Sequence, residues 1–229
     1  MAAVAAKPHV LVACALLLLA VGCQASPFWP LEIGYYHDKC PQAEAVVKGV
    51  MEQAISGNPG NGAAMIRMLF HDCFVEGCDA SVLLDPTPFS PTPEKLSPPN
   101  DPTLRGFELI DAIKDALEAA CPGVVSCADI VAFAARDASC ILSRGKDVVT
   151  PNKLDRQYYK NVLSHTVLFT SDAALMTSAE TARMVVENAK IPGWWEDRFE
   201  KAMVKMAGIE VKTGYQGQIR KNCRAINHY

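Results

Sequence analysis

Nine cysteines constrain the fold of this chain more than any other feature of its sequence. Two of them lie in an N-terminal leader, so seven would remain in the mature protein. Seven cysteines in a secreted chain predict up to three disulfides and one cysteine left over. Because disulfides persist in oxidising compartments, bridges are favoured there over metal ligation. The nine are Cys14, Cys23, Cys40, Cys73, Cys78, Cys121, Cys127, Cys140 and Cys223.

The leader predicts where the protein goes. Lys7 supplies a positive charge, and an apolar run from Val10 to Val21 follows before small and polar residues begin. This order is typical of a secretory signal peptide, which we place at residues 1–23. The run is short for a membrane span, and an uncleaved membrane anchor is the alternative. We therefore expect a secreted protein with no membrane attachment after cleavage.

The remaining residues, 24–229, suit one domain. Half of the chain is hydrophobic, which is enough for a core, and the net charge of -3 argues against a nucleic-acid partner. Apolar residues recur at helical spacing and strand signals are sparse, so the predicted fold class is all-α. The predicted helices are Pro41–Ser56, Gly62–Asp72, Phe107–Ala120, Cys127–Leu142, Tyr158–Leu163, Ala173–Met176, Ser178–Asn188 and Trp194–Met206.

The second predicted helix carries a candidate catalytic face. Arg67 and His71 are four residues apart and share one side of the helix, with Phe70 beside them. An imidazole can take and return a proton near neutral pH, and a guanidinium can stabilise a developing anion. This face suits acid–base chemistry on a small polar molecule, although a helical histidine is more commonly a core or surface residue.

A loop with seven prolines, residues 75–102, follows that helix, and a loop of this length is usually functional or tied down. Asp72, Asp79 and Ser81 offer side-chain oxygens there, and a turn at Gly77 lets carbonyls point inward. Oxygen ligands of these kinds favour calcium. An acidic surface loop without a metal is the alternative.

A zinc site is a further alternative for the same segment. His71, Cys73 and Cys78 have a spacing that could hold zinc. Pairing of the two cysteines with each other in a secreted protein would remove those ligands.

The segment from Arg67 to Asp85, RMLFHDCFVEGCDASVLLD, resembles the distal haem signature of the secretory plant peroxidases. The resemblance covers nearly all of the mature chain. It implies a haem peroxidase fold, haem b as cofactor, hydrogen peroxide and small phenolic donors as substrates, and a monomer in the extracellular space or cell wall. Further segments that resemble the family are 34–41, 94–108, 125–129, 150–159, 171–172, 202–206 and 217–224.

The resemblance also implies roles for single residues. His71 would be the distal acid–base residue, with Arg67 as its electrostatic partner and Phe70 against the cofactor. Asn100 would hold the ring of His71 through a hydrogen bond, with Glu94 behind it. The implied ligands of a distal calcium are Asp72, Asp79 and Ser81 through side chains, and Val75 and Gly77 through carbonyls. The implied disulfides are Cys40–Cys121, Cys73–Cys78 and Cys127–Cys223, which leaves Cys140 free or buried.

The chain departs from the family pattern between Lys146 and Asp147. The family continues there with further helices and a motif that carries the proximal histidine, the axial ligand of the iron. Asp172 matches the carboxylate that bonds this histidine, and Asp129 matches one that pairs with an arginine of the absent segment. A second calcium site is partly present, as Asp147, Thr150, Lys153 and Asp155.

The absent segment leaves two functional hypotheses. One is a peroxidase with the central helices missing at about 146/147. The other is a catalytically inactive, secreted, calcium-binding remnant or splice form without stable haem. In either case we expect apolar helix faces to be exposed, because their packing partners are absent.

Overall fold

The computed structural model describes residues 31–143, 154–167 and 169–227, and the signal-peptide prediction therefore lies outside the described residues. These residues are mostly helical, as predicted, and the only β pairing among them is an isolated bridge between Thr87 and Ser90. The helices are α1 Ala43–Gly57, α2 Gly60–Cys73, α3 Phe107–Ala120, α4 Cys127–Ser143, α5 Gln157–Leu163, α6 Thr170–Ala174, α7 Ala179–Lys190 and α8 Trp194–Ala207.

The core forms where α1, α2 and α3 pack on α4, and the α2–α4 contact is the most extensive. Met65, Met68 and Leu69 on α2 are buried, as are Ile110 on α3 and Ile130 on α4. Each such side chain contributes roughly 1.5–3 kcal/mol by leaving water. The buried side of α2 fixes the helix, so its opposite side, with Arg67 and Phe70, is held in a defined direction.

The helix limits follow local capping. The hydroxyl oxygen of Ser126 accepts a hydrogen bond of 3.0 Å from the backbone N–H of Asp129, so Ser126 is the N-cap of α4. The bounds predicted for the helix Ala173–Met176 are wrong, since α6 spans Thr170–Ala174. It begins earlier because the carbonyl of Phe169, in extended backbone, already accepts from the N–H groups of Asp172 and Ala173.

The proline-rich loop is tied down, as its length suggested. It contains two short 3₁₀ turns, Ser81–Leu83 and Glu94–Leu96. The C-terminal segment anchors the first turn, because Arg220 donates to the carbonyl of Ala80 at 2.8 Å and the carbonyl of Arg224 accepts from Asp85 N–H at 2.9 Å. The loop is therefore part of the fixed scaffold beside α2.

All three disulfides implied by the family pattern are present. Cys40–Cys121 and Cys127–Cys223 join residues 81 and 96 positions apart, and Cys73–Cys78 joins residues 5 apart. Cys140 is free and exposed. Because Cys73 and Cys78 are bonded to each other, the zinc hypothesis is wrong.

The C-terminal helices bury little. In α8 no residue is buried, and Val204 there is 70% exposed. Phe70 and Phe74 on α2 are also exposed, with ring centroids 4.7 Å apart. These apolar faces agree with the expectation of absent packing partners. None of the helices in the described ranges is both long and apolar enough to cross a membrane.

Candidate active site

Arg67 and His71 lie side by side on α2, as their spacing predicted. The Nε of Arg67 donates a hydrogen bond of 3.1 Å to Nε2 of His71. This bond requires a lone pair on Nε2, since an arginine nitrogen cannot accept a hydrogen bond. An arrangement with Nε2 as the acceptor places a ring proton on the other nitrogen, Nδ1.

Asn100 holds that other nitrogen. Its Oδ1 lies 2.6 Å from Nδ1 of His71, and its amide nitrogen donates to the carbonyl of Glu94 at 2.7 Å and to Oγ of Ser97 at 3.1 Å. The two acceptors fix which end of the amide faces His71. Nδ1–H consequently donates to Asn100, and Glu94 supports this bond through its backbone.

Residues on both sides of Asn100 in the loop hold Arg67 in place. Its Nη atoms donate to the carbonyls of Pro99 and Thr103 at 3.0 and 2.9 Å and to Oγ1 of Thr103 at 2.8 Å. All of these acceptors are neutral. The bracing residues lie 32 and 36 positions away in sequence, so no local pattern could identify them.

An apolar cavity of about 500 Å³ opens beside Arg67. Ile66 and Phe70 on α2 form one wall, and Phe199, Met203 and Met206 on α8 form the facing wall. His71 lies next to this cavity on α2 and does not line it. The sequence analysis did not assign the α8 residues to the site.

A haem would find a partial fit in this cavity. The apolar walls and the adjacent Arg67–His71 pair suit the distal side of a porphyrin. The described wall contains no imidazole, and His37 and His165 are exposed elsewhere. The residues present therefore fit the macrocycle but do not supply the axial nitrogen ligand of the family.

Asp72 is the strongest indication of a cation next to the site. Its side chain is fully buried, Oδ2 accepts from the N–H of Ala80 at 2.9 Å, and Oδ1 has no partner. Burial raises the pKa of Asp72 to about 7, and the charge of Asp79 adds to this effect. A bound cation would coordinate the unpaired Oδ1. It would also offset the free-energy cost of burying the charged carboxylate of Asp72.

The other implied calcium ligands lie in the loop that follows α2. Oδ1 of Asp79 accepts from Ser81 N–H at 2.9 Å, and the Ser81 hydroxyl donates to Glu94 at 2.9 Å. The carbonyl of Gly77 accepts from Asp79 N–H at 3.0 Å, and Val75 is exposed. No group of three or more His, Cys, Asp or Glu side chains suited to a metal occurs in the described part of the chain. The implied set has only two carboxylates, so it would depend on hydroxyl and carbonyl oxygens.

Asp172 and Asp129 each accept a hydrogen bond from a tyrosine hydroxyl. Asp172 accepts a hydrogen bond of 2.8 Å from the hydroxyl of Tyr158, and Asp129 accepts from the hydroxyls of Tyr36 and Ser126. Burial raises the pKa of Tyr36, and the carboxylate of Asp129 raises it further. The resemblance alone left both carboxylates without partners, and it could not indicate these tyrosines.

The second calcium site stays a prediction. Asp155 accepts a hydrogen bond of 2.8 Å from the N–H of Gln157 at the start of α5. Asp147, Thr150 and Lys153 lie outside the described residues.

Comparison with known proteins matches a peroxidase family model to residues 47–146 and 139–190. The chain is 56% identical over 322 positions to Peroxidase 2 of Zea mays, with 96% of each protein covered. It is 33% identical over 302 positions to Peroxidase 5 of Vitis vinifera, covering 86% of this chain and 92% of the relative. The alignment has 322 positions and the chain has only 229 residues. At least 93 aligned positions (322 minus 229) therefore have no counterpart in this chain.

Proposed function

Because this chain belongs to the plant peroxidase family, we propose that it is a secretory haem peroxidase that reduces hydrogen peroxide and oxidises small phenolic donors. The observation that carries the proposal is the pair of hydrogen bonds that His71 makes with Arg67 and Asn100. Nδ1–H is held by Asn100, so Nε2 is the basic nitrogen and lies beside the guanidinium of Arg67.

The geometry supports a defined sequence of proton movements. Hydrogen peroxide would displace Nε of Arg67 from Nε2 of His71 and donate its near proton to that nitrogen. The guanidinium of Arg67 would stabilise the negative charge that develops on the peroxide oxygens. His71 would then return the proton to the far oxygen, which leaves as water when the O–O bond breaks with two electrons that a bound haem would supply. Asn100 keeps Nδ1 protonated throughout, so the ring neither turns nor changes tautomer.

Haem b would supply the redox chemistry when bound. Phe70 and the cavity walls would hold it on the distal side, and Asp72, Asp79 and Ser81, with the carbonyls of Val75 and Gly77, would hold calcium behind α2. The exposed edge of the α2–α8 cavity offers access to phenolic donors.

Reconstitution with haem b tests this function. We expect a Soret band, oxidation of guaiacol by peroxide, and a fall in kcat/KM of about 100-fold or more in His71→Ala. His165→Ala is the matched control, because it removes an exposed imidazole elsewhere. A protein that takes up no haem and oxidises no guaiacol would exclude the proposal.

A second candidate is a secreted, calcium-binding scaffold without catalysis. Two observations favour it: the described cavity wall has no axial imidazole, and Oδ1 of Asp72 is buried without a partner. This candidate predicts calcium-dependent melting with no haem uptake. Identical melting in calcium and in chelator would exclude it.

We also propose that residues 24–229 are one peroxidase domain, from which the central segment of its relatives is absent at about 146/147. The two family-model matches overlap at residues 139–146, which supports a join close to this point. Sequencing the transcript across the join tests this. An intervening coding stretch with a histidine motif would mean that a longer protein exists.

Secretion through a signal peptide of residues 1–23 is part of the same proposal. The three disulfides support an oxidising compartment. N-terminal sequencing of the exported protein tests it: a mature start at Gln24 or Ser26 is expected, and retention of Met1 contradicts it.

A further inference from the structure

A row of four aromatic rings runs from behind the cavity wall to the protein surface. The ring centroid of Phe199, a wall residue on α8, lies 5.3 Å from that of Trp195. Trp195 lies 6.3 Å from Tyr159 on α5, and Tyr159 lies 5.2 Å from Tyr158. These separations are within the range of about 4.5–7 Å that packed aromatic pairs show. Tyr158 is 43% exposed, so this aromatic row ends in solvent.

Three of the four rings can carry single electrons. Indole and phenol side chains each lose one electron to a strong oxidant, whereas the phenyl ring of Phe199 does not. Electrons tunnel rapidly between rings that are in contact. An oxidised indole takes an electron from a phenol when the phenol can release its proton at the same time. Trp195 is therefore the inner end of a path for electrons, and Tyr158 is its outer end.

Asp172 is in place to take the proton of Tyr158. A phenol that loses an electron becomes a strong acid, so its hydroxyl proton must leave. The hydroxyl of Tyr158 donates a hydrogen bond of 2.8 Å to Oδ1 of Asp172, which can act as the base. Within residues 31–143, 154–167 and 169–227 the hydroxyl of Tyr159 makes no side-chain hydrogen bond. The radical is consequently favoured at Tyr158.

Trp194, next to Trp195, is a poor entry to the same path. The guanidinium of Arg198 lies 4.7 Å from the ring centroid of Trp194, and its positive charge opposes the loss of an electron from that ring. Trp194 is 40% exposed and forms no aromatic pair within the described residues. It therefore offers a matched comparison for Trp195.

We propose that the aromatic row conducts single electrons from Tyr158 at the surface to Trp195 behind the cavity wall, with Asp172 as the proton acceptor. Tyr158 is then a second oxidation site, for phenolic donors too bulky to enter the cavity. The relay itself needs neither haem nor peroxide. Its use with hydrogen peroxide as the oxidant rests on the proposed function.

Each passage through the relay moves one electron. The oxidant takes an electron from Trp195, and Tyr158 replaces it through Tyr159. Tyr158 passes its hydroxyl proton to Asp172 and becomes a neutral phenoxyl radical. The phenolic donor then gives one electron to Tyr158, Asp172 returns the proton, and the donor's own hydroxyl proton leaves to water. The donor ends as a phenoxyl radical, and the oxidant is reduced by one electron.

Pulse radiolysis of the haem-free full chain with azide radicals tests the relay. An azide radical takes one electron preferentially from tryptophan and becomes azide. We expect the absorption of the indole radical to decay as that of the phenoxyl radical rises, at one first-order rate that does not depend on protein concentration. A rate that increases with protein concentration, or no phenoxyl radical, would overturn the proposal.

Two pairs of variants locate the path. Trp195→Phe should remove the intramolecular phase, and Trp194→Phe, its matched control, should leave it. Asp172→Asn should slow the rise of the phenoxyl radical by at least about tenfold, because the base is lost. Asp197→Asn is the matched control, since this carboxylate on α8 is 56% exposed and pairs with Lys201. Equal effects within either pair would contradict the path.

Tyr158→Phe should remove most of the phenoxyl signal, and a full signal in this variant would exclude Tyr158 as the outer end. Ferulate coupled to dextran is the bulky phenolic donor. Added at low concentration to the wild-type protein, it should accelerate the decay of the phenoxyl radical in proportion to its concentration. An unchanged decay would overturn the surface oxidation site. A protein that takes up no haem would exclude the proposed function and leave all of these results as they are.

Discussion

Tyr158 on α5 donates a hydrogen bond of 2.8 Å to Asp172 on α6, the carboxylate that the family pattern pairs with the axial histidine. The tyrosine is partly exposed, and both residues lie outside the cavity wall. In this chain the carboxylate therefore joins two short helices.

This bond has a measurable consequence for the titration of Tyr158. Burial and, to a smaller extent, the carboxylate of Asp172 raise the pKa of Tyr158 to about 12. Asp172→Asn should lower this pKa toward 10, as followed by ultraviolet difference spectra against Tyr158→Phe. The pKa of Tyr158 is higher in the folded protein than in the unfolded protein. The environment of the protonated Tyr158 hydroxyl therefore stabilises the fold below about pH 10, and this stabilisation is lost as pH rises toward 12. Asp197→Asn, which removes an exposed carboxylate on α8, should change nothing, and an unaltered titration in Asp172→Asn would contradict the bond.

The tautomer of His71 can be observed directly. Nitrogen chemical shifts of the wild-type protein should show His71 protonated at Nδ1, because Asn100 accepts from that nitrogen. In Asn100→Ala the ring should shift toward the Nε2–H form, and any peroxidase activity should fall about 10- to 100-fold. His165 is exposed and serves as the internal control in the same spectra. An Nε2–H tautomer in the wild-type protein would exclude the proton route that we propose.

Calcium should stabilise the fold through Asp72. At a concentration one hundred times the Kd, bound calcium adds about 3 kcal/mol to the free energy of unfolding, or roughly 5–10 °C in Tm. Asp72→Asn should remove most of this difference between calcium and chelator. Asp115→Asn is the matched control, because Asp115 is exposed on α3. If Asp115→Asn and Asp72→Asn lose the calcium effect equally, the site is not at Asp72.

The disulfides should differ in their contribution to stability. By loop entropy, Cys40–Cys121 should contribute about 4–5 kcal/mol, since it closes 81 positions, and Cys73–Cys78 about 2 kcal/mol, since it closes 5. Urea unfolding of the two paired serine variants measures both values. Equal losses would show that strain or residual structure, and not loop length, decides the contribution.

Much of this protein could be predicted from its sequence because the determining signals are local. Helical spacing of apolar residues predicted α1 to α4 within about two residues, and Arg67 and His71 share a face for the same reason. The motifs around the cysteines implied the three disulfides, although through resemblance and not through geometry.

The tertiary structure alone decided which distant groups meet. Thr103 and Pro99 accept hydrogen bonds from Arg67, and Tyr158 donates one to Asp172. Helix α8 forms the cavity wall opposite α2. None of these contacts produces a periodic pattern in the sequence. Hydrogen bonds and cavity walls of this kind depend on how whole helices pack after folding. Sequence spacing reports only what lies within a turn or two of the same helix, so such contacts can be read from the folded molecule alone.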